Sequence, residues 1–370
     1  MIGCLCIFLE SIKFKEGKLL RQLYGKSDRG DLSEALKSIS SPDLLIMVSN
    51  GNQFKSHVAE LNEKYPNVPC IATTGHFYAD TIKEGGVAVV AMSGVKASAG
   101  VLRDVSTVPI RDIADFEKNL LSVSPDAKNT VCIDFCTGND AAVLSTMYSV
   151  LGKKNISLVG GTAFDGMVAV NGTVYEDASA YIFIKNLGGK IKVYKENIYK
   201  PMEEGYRFVA SNTNRDKYYV GDFNGKPAKK VYEDIFGIGD ADIANQTFRN
   251  PLGKVTGRDI CIVSLKEASG NGLCCYRQVN NSDVLTILHI EDYEKVVDET
   301  VEAIKSDFGK ASAIFSINCV FRYFFFNDEH FMSTYLTKMS TAGMHVGMVG
   351  NGEHHNEQFI NQSMSCVAFE

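Results

Sequence analysis

The feature that most constrains this chain is a repeated order of elements. The apolar run Leu44-Leu45-Ile46-Met47-Val48 ends in Ser49-Asn50-Gly51-Asn52, and Val131-Cys132-Ile133-Asp134-Phe135 ends in Cys136-Thr137-Gly138-Asn139. Helical spacing follows each run: Phe54, Val58, Leu61 and Tyr65 after the first, Val143, Leu144, Met147, Tyr148 and Leu151 after the second. Gly152 reads as a left-handed cap on the second helix. A second apolar strand then breaks at small residues, as Ile71-Ala72-Thr73-Thr74-Gly75 and Leu158-Val159-Gly160-Gly161-Thr162. Leu44 to Ile71 and Val131 to Leu158 are both 27 residues. A further strand follows at 86–90 and at 180–184. The closing part of the chain repeats the order once more: a strand at 313–319, a helix bearing Phe331, Tyr335 and Met339 and ending at Gly343, a strand at 346–349, the turn Gly350-Asn351-Gly352, and a strand at 365–369. This order predicts a mixed α/β fold on mixed sheets, built from strand-helix-strand-strand units.

Two domains are expected: 1–200, containing units at about 40–100 and 127–186, and 201–370. The 370 residues, 45% hydrophobic and 22% charged, are ordinary globular usage and exclude wholesale disorder. Between the second and third units, Asn224-Gly225 predicts a hairpin, a short helix is expected over 228–236, and strands at 259–265, 273–278 and 284–290. An amphipathic helix starts at Tyr293 and stops at Gly309. The boundary is placed near Lys200-Pro201, with 201–205 as connector. A net charge of −6 without a long basic run argues against nucleic acid. The longest apolar run, 1–9, is too short to span a bilayer, which takes about 20 residues, and lacks the features of a signal peptide. None of the ten cysteines has Cys-x-x-Cys spacing. A soluble, reduced, cytoplasmic protein is expected.

Cys136 ends a strand before a helix, where a thiol pKa can fall, but no His lies near it in sequence to act as base. A structural or ligand-lining role is therefore preferred to a nucleophile, with Thr137 beside it. Glu353-His354-His355 suggests metal chemistry, yet adjacent histidines on an extended chain face opposite ways and His-Glu-x-x-His is absent; no metal ligand is assigned. Gly160-Gly161 and Gly350-Asn351-Gly352 do not make Gly-x-Gly-x-x-Gly; they read as positive-φ corners or as backbone N–H donors to a polar ligand. Arg322 forks onto a carboxylate, either of a ligand or of the protein itself. The run Tyr323-Phe324-Phe325-Phe326 reads as core or packing surface.

Pro69-Cys70-Ile71-Ala72-Thr73-Thr74-Gly75 with Gly85-Gly86-Val87-Ala88-Val89-Val90, and Leu158-Val159-Gly160-Gly161-Thr162-Ala163, resemble the N-terminal FIST domain (F-box and intracellular signal transduction). Asn224-Gly225-Lys226-Pro227-Ala228, Cys319 with Arg322, and Gly352-Glu353 with Asn361-Gln362-Ser363 are similar to the C-terminal FIST domain. Val320-Phe321 departs from the small residues usual between that Cys and Arg. The resemblance implies a sensory protein that binds a small, amino-acid-like ligand, is not an enzyme, and signals to a separate output protein, with no output domain left over. The expected ligand-binding residues are Thr74, Gly75, Cys136, Thr137, Gly160, Gly161, Cys319, Arg322, Asn351, Gly352 and Glu353, with no cofactor. Two alternatives stay open: a haem-binding gas sensor using one of the seven histidines, and a hydrolase or transferase using Cys136 or Cys319.

Overall fold

The computed structural model describes residues 19–82, 84–202, 206–256 and 259–370. The apolar run 1–9 with Cys4 and Cys6, and most of the connector 201–205, lie outside the described residues. Unit one comprises β1 (Arg21–Ser27), α1 (Leu32–Ala35), β2 (Leu44–Ser49), α2 (Phe54–Lys64), β3 (Cys70–Thr74), β4 (His76–Tyr78) and β5 (Val87–Ser93). Unit two follows as β6 (Val95–Arg103), α3 (Ile113–Ser122), β7 (Thr130–Cys136), α4 (Asp140–Leu151), β8 (Ser157–Thr162), β9 (Val168–Val170), β10 (Thr173–Tyr175) and β11 (Ala178–Asn186). Unit three opens with β12 (Ile191–Asn197) and is then interrupted by an inserted segment. That insertion carries β13 (Tyr199–Pro201), β14 (Arg207–Asn214), β15 (Tyr219–Phe223), β16 (Lys226–Pro227), α5 (Ala228–Phe236) and α6 (Ile243–Gln246). It continues with β17 (Leu252–Thr256), β18 (Asp259–Val263), β19 (Leu265–Ser269), β20 (Gly272–Cys275) and β21 (Val284–Ile290). Unit three resumes as α7 (Tyr293–Phe308), β22 (Ala311–Cys319), α8 (Val320–Asp328), α9 (Met332–Ala342), β23 (Gly343–Gly350), β24 (Glu353–His355), β25 (Gln358–Ile360) and β26 (Ser363–Phe369).

The three units build three sheets of one design. Their orders are β1-β5-β2-β3-β9-β10, β6-β11-β7-β8-β24-β25 and β12-β26-β22-β23-β4. In each, the two central strands joined by a helical crossover (β2 and β3, β7 and β8, β22 and β23) run parallel and the other neighbours run antiparallel. The strand that extends each sheet beyond this pair comes from another unit. Unit two lends β9 to β3, unit three lends β24 to β8, and unit one lends β4 to β23. The exchange is cyclic, and two of the sheets mix strands from both sides of residue 200.

Registers show how deep the repetition goes. Ser49 lies opposite Thr74, Cys136 opposite Thr162, and Cys319 opposite Gly350. The equal 27-residue spacings nonetheless misalign the second strands by one position, because Ile71 pairs with Ile46 whereas Val159 pairs with the equivalent Ile133. A 3-10 turn after α4, Gly152–Lys154, absorbs the extra residue. Gly152 is right-handed there, and Asn155 at φ 53° takes the left-handed position expected of the glycine.

Strands covered on both faces read as near-continuous apolar runs. Their inner faces meet in one core holding Val48, Ile71, Ile133, Phe135, Phe315 and Ile317. On the outer faces, α1 and α2 cover sheet one, α3 and α4 sheet two, and α7, α8 and α9 sheet three. The insertion has its own core around Val220, Phe223, Tyr232 and Leu285. Its hairpin turns at Asn224 and Gly225 with φ of 51° and 73°, the conformation that Asn-Gly favours. Helices α5 and α7 fall where periodicity places them. Helix α8 was not expected; Tyr323, Phe325 and Phe326 are buried on it while Phe324 is 40% exposed. Among the described residues no helix is long and apolar enough to cross a membrane.

Candidate functional site

Alternation along β7 sends Val131, Ile133 and Phe135 into the shared core and Cys132, Asp134 and Cys136 to the helix-covered face. A carboxylate on such a face needs a partner. In the lateral row across three strands, Asp134 lies beside Gly160, and Gly160 beside His354. The glycine has no side chain to separate its neighbours; a Cβ there would overlap the Asp134 carboxylate. His354 Nδ1 therefore reaches Asp134 at 2.9 and 3.0 Å, and Nε2 lies 2.9 Å from Asp140 Oδ1 in the first turn of α4. Thr162 Oγ1 donates to the same Asp140 oxygen, and the Cys136 thiol lies 3.3 Å from it and 3.8 Å from His354 Nε2.

Burial alone would lower the His354 pKa, but the charge of Asp134, the Cys136 sulfur and hydrogen bonds to both carboxylates hold it well above its ordinary value. Burial would raise Asp140, yet its bonds to His354, Thr162 and Cys136 lower it. The Cys136 thiol is pushed up to about 12 by burial and then by the Asp140 charge, with His354 opposing. An imidazolium clamped between two carboxylates has no free lone pair to take a thiol proton, which weighs against Cys136 as a nucleophile.

The next residue along β24 faces the other way, as extended chain requires. Glu353 lies beside Gly161, whose own Cβ would come within 2.6 Å of Gly352 O, and is wholly buried on the core side. Its Oε2 accepts from the Ser363 N–H at 3.2 Å and hydroxyl at 2.9 Å. Burial raises its carboxyl to about 8 despite those bonds, the neighbouring Cys319 thiol and the Arg322 charge. Arg322, also wholly buried, pairs with Glu196 on β12 and stacks over Phe326 and Tyr335, 4.4 and 5.4 Å from the ring centroids. Of the two readings of Arg322, the internal ion pair is the one formed. The expected residues Cys319, Arg322 and Glu353 thus converge from two separate segments, back to back with the His354 cluster.

A cleft of about 680 Å³ opens over Asp140 and Thr162. Asn351 and Phe359 line it from unit three, and Lys217, Lys254, Lys266, Tyr276 and Arg277 from the insertion. The Asp140 side chain is 13% exposed at its floor. Arg277 stacks over Phe359 and donates to its carbonyl, and Lys254 pairs with Asp283 at 2.7 Å. The floor is acidic, and the wall carries Lys217, Lys266 and Arg277 together with the carboxylates of Asp216 and Glu267.

Other expected site residues serve the frame. The Thr74 N–H donates to Met167 O and the Gly75 N–H to Ser49 O, each at 3.2 Å, so neither faces a ligand. The Thr137 N–H donates to Ala178 O at 2.9 Å. Gly160 and Gly161 lie inside β8, and none of Gly160, Gly161, Gly350 or Gly352 has positive φ. These glycines are needed for room, not for a left-handed corner. The Gly352 carbonyl accepts from Thr162 N–H at 3.0 Å, and Asn351 donates to Phe164 O at 3.0 Å. Sequence reasoning missed Asp134, Asp140, Glu196 and Arg277, and it weighed His354 but assigned it no role. A visible signal existed for the first: Asp134 is a charge inside an otherwise apolar strand.

Residues 43–226 match the family model of the FIST N domain. The chain belongs to the FIST family. FIST domains are sensory domains of signal transduction. The FIST N match holds Asp134, Cys136 and Asp140, whereas His354, Glu353, Cys319 and Arg322 lie beyond it. No curated protein matches the chain.

Proposed function

We propose that this FIST protein is a cytoplasmic sensor that binds an amino-acid-like zwitterion in the cleft above Asp140 and signals to a separate partner protein. In this reading residues 201–370 act as the C-terminal FIST domain, supplying the insertion wall and β24. The observation that carries it is the charge layout of the cleft: a carboxylate at the floor, with Lys217, Lys266 and Arg277 on the wall beside Asp216 and Glu267. A ligand ammonium is matched to Asp140 and a ligand carboxylate to the wall cations, whose charge-assisted bonds are the stronger kind. Because the cleft lies between the units and the insertion, ligand contacts on both sides tie their relative position to occupancy, which gives a partner a difference to read.

The test is thermal unfolding of the full chain against a panel of amino acids and small organic acids. A ligand that binds only the folded state stabilises it by about 2.7 kcal/mol at a hundredfold excess over Kd. The expected result is a raised melting temperature with zwitterions, reduced by Lys266→Glu on the exposed wall. No shift at millimolar ligand across the panel overturns the reading.

A further inference from the structure

We infer that Cys136, Asp140 and His354 form a mononuclear site for a divalent transition metal of the zinc type, with its fourth position open to the cleft. Sequence spacing gave no hint of it, because the histidine is 218 residues from the cysteine. The three donor atoms nevertheless lie within 4.8 Å of one another. Their separations are 3.8 Å (Sγ to Nε2), 3.3 Å (Sγ to Oδ1) and 2.9 Å (Nε2 to Oδ1). Zinc at its usual distances from S, N and O donors in a tetrahedron places those donors about 3.3 to 3.6 Å apart. Shifts of a few tenths of an ångström convert one arrangement to the other.

The surroundings are those a metal ligand needs. A ligating histidine almost always gives its second ring nitrogen to a carboxylate, which fixes ring orientation and tautomer. Here Nδ1 is held by both oxygens of Asp134, and Gly160 is the gap that lets that bond form. Asp140 is held in turn by Thr162. One sulfur, one imidazole and one carboxylate suit zinc or cobalt better than magnesium or calcium, which take oxygen ligands. Cys136 and His354 are buried, and Asp140 alone meets the cleft. An ion held by all three therefore lies just under the floor, and the remaining coordination position points to solvent or solute, as in zinc sites with three protein ligands. Loading displaces the thiol proton of Cys136 and the Nε2 proton of His354. Asp134 is a positioning residue. The inference stands on the donor geometry; because a bound ion takes the Asp140 oxygen that the zwitterion reading gives to a ligand ammonium, a metal-loaded cleft would take a ligand carboxylate at the open coordination position instead.

The test uses the full chain, stripped with chelator, desalted and titrated with Co²⁺ and then Zn²⁺. The expected result is uptake of a single equivalent of cobalt with a thiolate-to-cobalt charge-transfer band and tetrahedral ligand-field bands, both abolished by zinc. Because His354 is wholly buried, the deciding variants are the near-isosteric Cys136→Ser, which loses the charge-transfer band, and Asp134→Asn, which retains it with metal affinity lowered about 10- to 100-fold. Cys70→Ser, in unit one, keeps the full spectrum, and circular dichroism confirms that each variant is folded. Absence of the band in the folded wild-type protein, or its persistence in Cys136→Ser, overturns the proposal. The amino-acid panel is run on the chelator-stripped chain, so the two readings fail separately.

Discussion

Removing the guanidinium of Arg322 tests whether that residue is structural or held for a ligand. Arg322 and Glu196 are both wholly buried and paired with each other. Arg322→Met keeps the apolar stem but leaves the Glu196 carboxylate without its cation. Deleting one partner of such a pair costs about 3–5 kcal/mol, because the survivor stays desolvated. Loss of the stacking over Phe326 and Tyr335 belongs to the same cost, a desolvated cation–π contact being worth about 2 kcal/mol. Arg322→Met with Glu196→Met removes both charges, and an apolar replacement of a buried pair is often neutral or better. The pair is also imperfectly satisfied: Nε and Nη1 of Arg322 and Oε2 of Glu196 have no hydrogen-bond partner among the described residues, which limits what the double variant forfeits. The assay is denaturant unfolding at neutral pH, followed by circular dichroism, on the wild type, both single variants and the double. The expected double-mutant coupling exceeds about 1 kcal/mol, with the double variant more stable than Arg322→Met. A single variant within 1 kcal/mol of wild type, or simple additivity, refutes the ion-pair account.

Glu353 is raised to about 8 by burial, so between its unfolded value of 4.5 and that pH the native state holds the extra proton. Its contribution is most favourable below pH 4.5 and declines toward pH 8 by up to about 1.4 kcal/mol per pH unit; Glu353→Gln removes that decline from a stability–pH series. His345 has the opposite sign: burial lowers it to about 3, so its contribution is complete above pH 6.5 and is lost as pH falls toward 3. A His345→Gln variant flattens the acid limb in the same series. Cys136 and Cys319 are both raised by burial and react with maleimide at neutral pH more slowly than Cys261 and Cys274, which are partly exposed; peptide mass mapping reads the order. Gly160→Ala drives a methyl into Asp134 and destabilises by about 1–3 kcal/mol or more, whereas Gly239→Ala, with open space around it, stays near wild type in the same denaturant assay.

The repeated units were legible because their signals are local: a polar corner after an apolar run, then helical spacing. Helices α5 and α7 were legible for the same reason, each ending at a glycine (Gly237 and Gly309) and carrying a clear apolar face. What escaped was non-local. Nothing in the periodicity of His76–Tyr78 says that it pairs with Gly347–Val349, nor that β24 leaves its own unit for β8. Helix α8 escaped because its successive aromatics show no 3.6-residue stripe. The site divided along the same line. Cys136, Arg322 and Glu353 were singled out by residue type and context, but partners such as His354 for Cys136 and Glu196 for Arg322 lie far away in the chain. The glycines were noticed for the wrong freedom: Gly160 matters for the missing Cβ, and its backbone is ordinary strand.

The lending of strands from unit to unit has a consequence for synthesis. As the chain emerges from a ribosome, β8 has its open edge ready at Thr162, but the strand that covers it begins at Glu353, about 190 residues later. At roughly 5–20 residues per second that edge waits about 10 to 40 s. Meanwhile it is a bare template of N–H and C=O groups, the kind of edge that invites pairing with another nascent chain. The ring closes only when β23 and β24 are both made, so the last thirteenth of the polypeptide, from Gly343 on, both covers the β8 edge of unit two and completes the His354 cluster. Premature termination in that stretch leaves a chain with most of its strands and a bare β8 edge, and a cell meets it as an aggregating species, not as a weaker sensor.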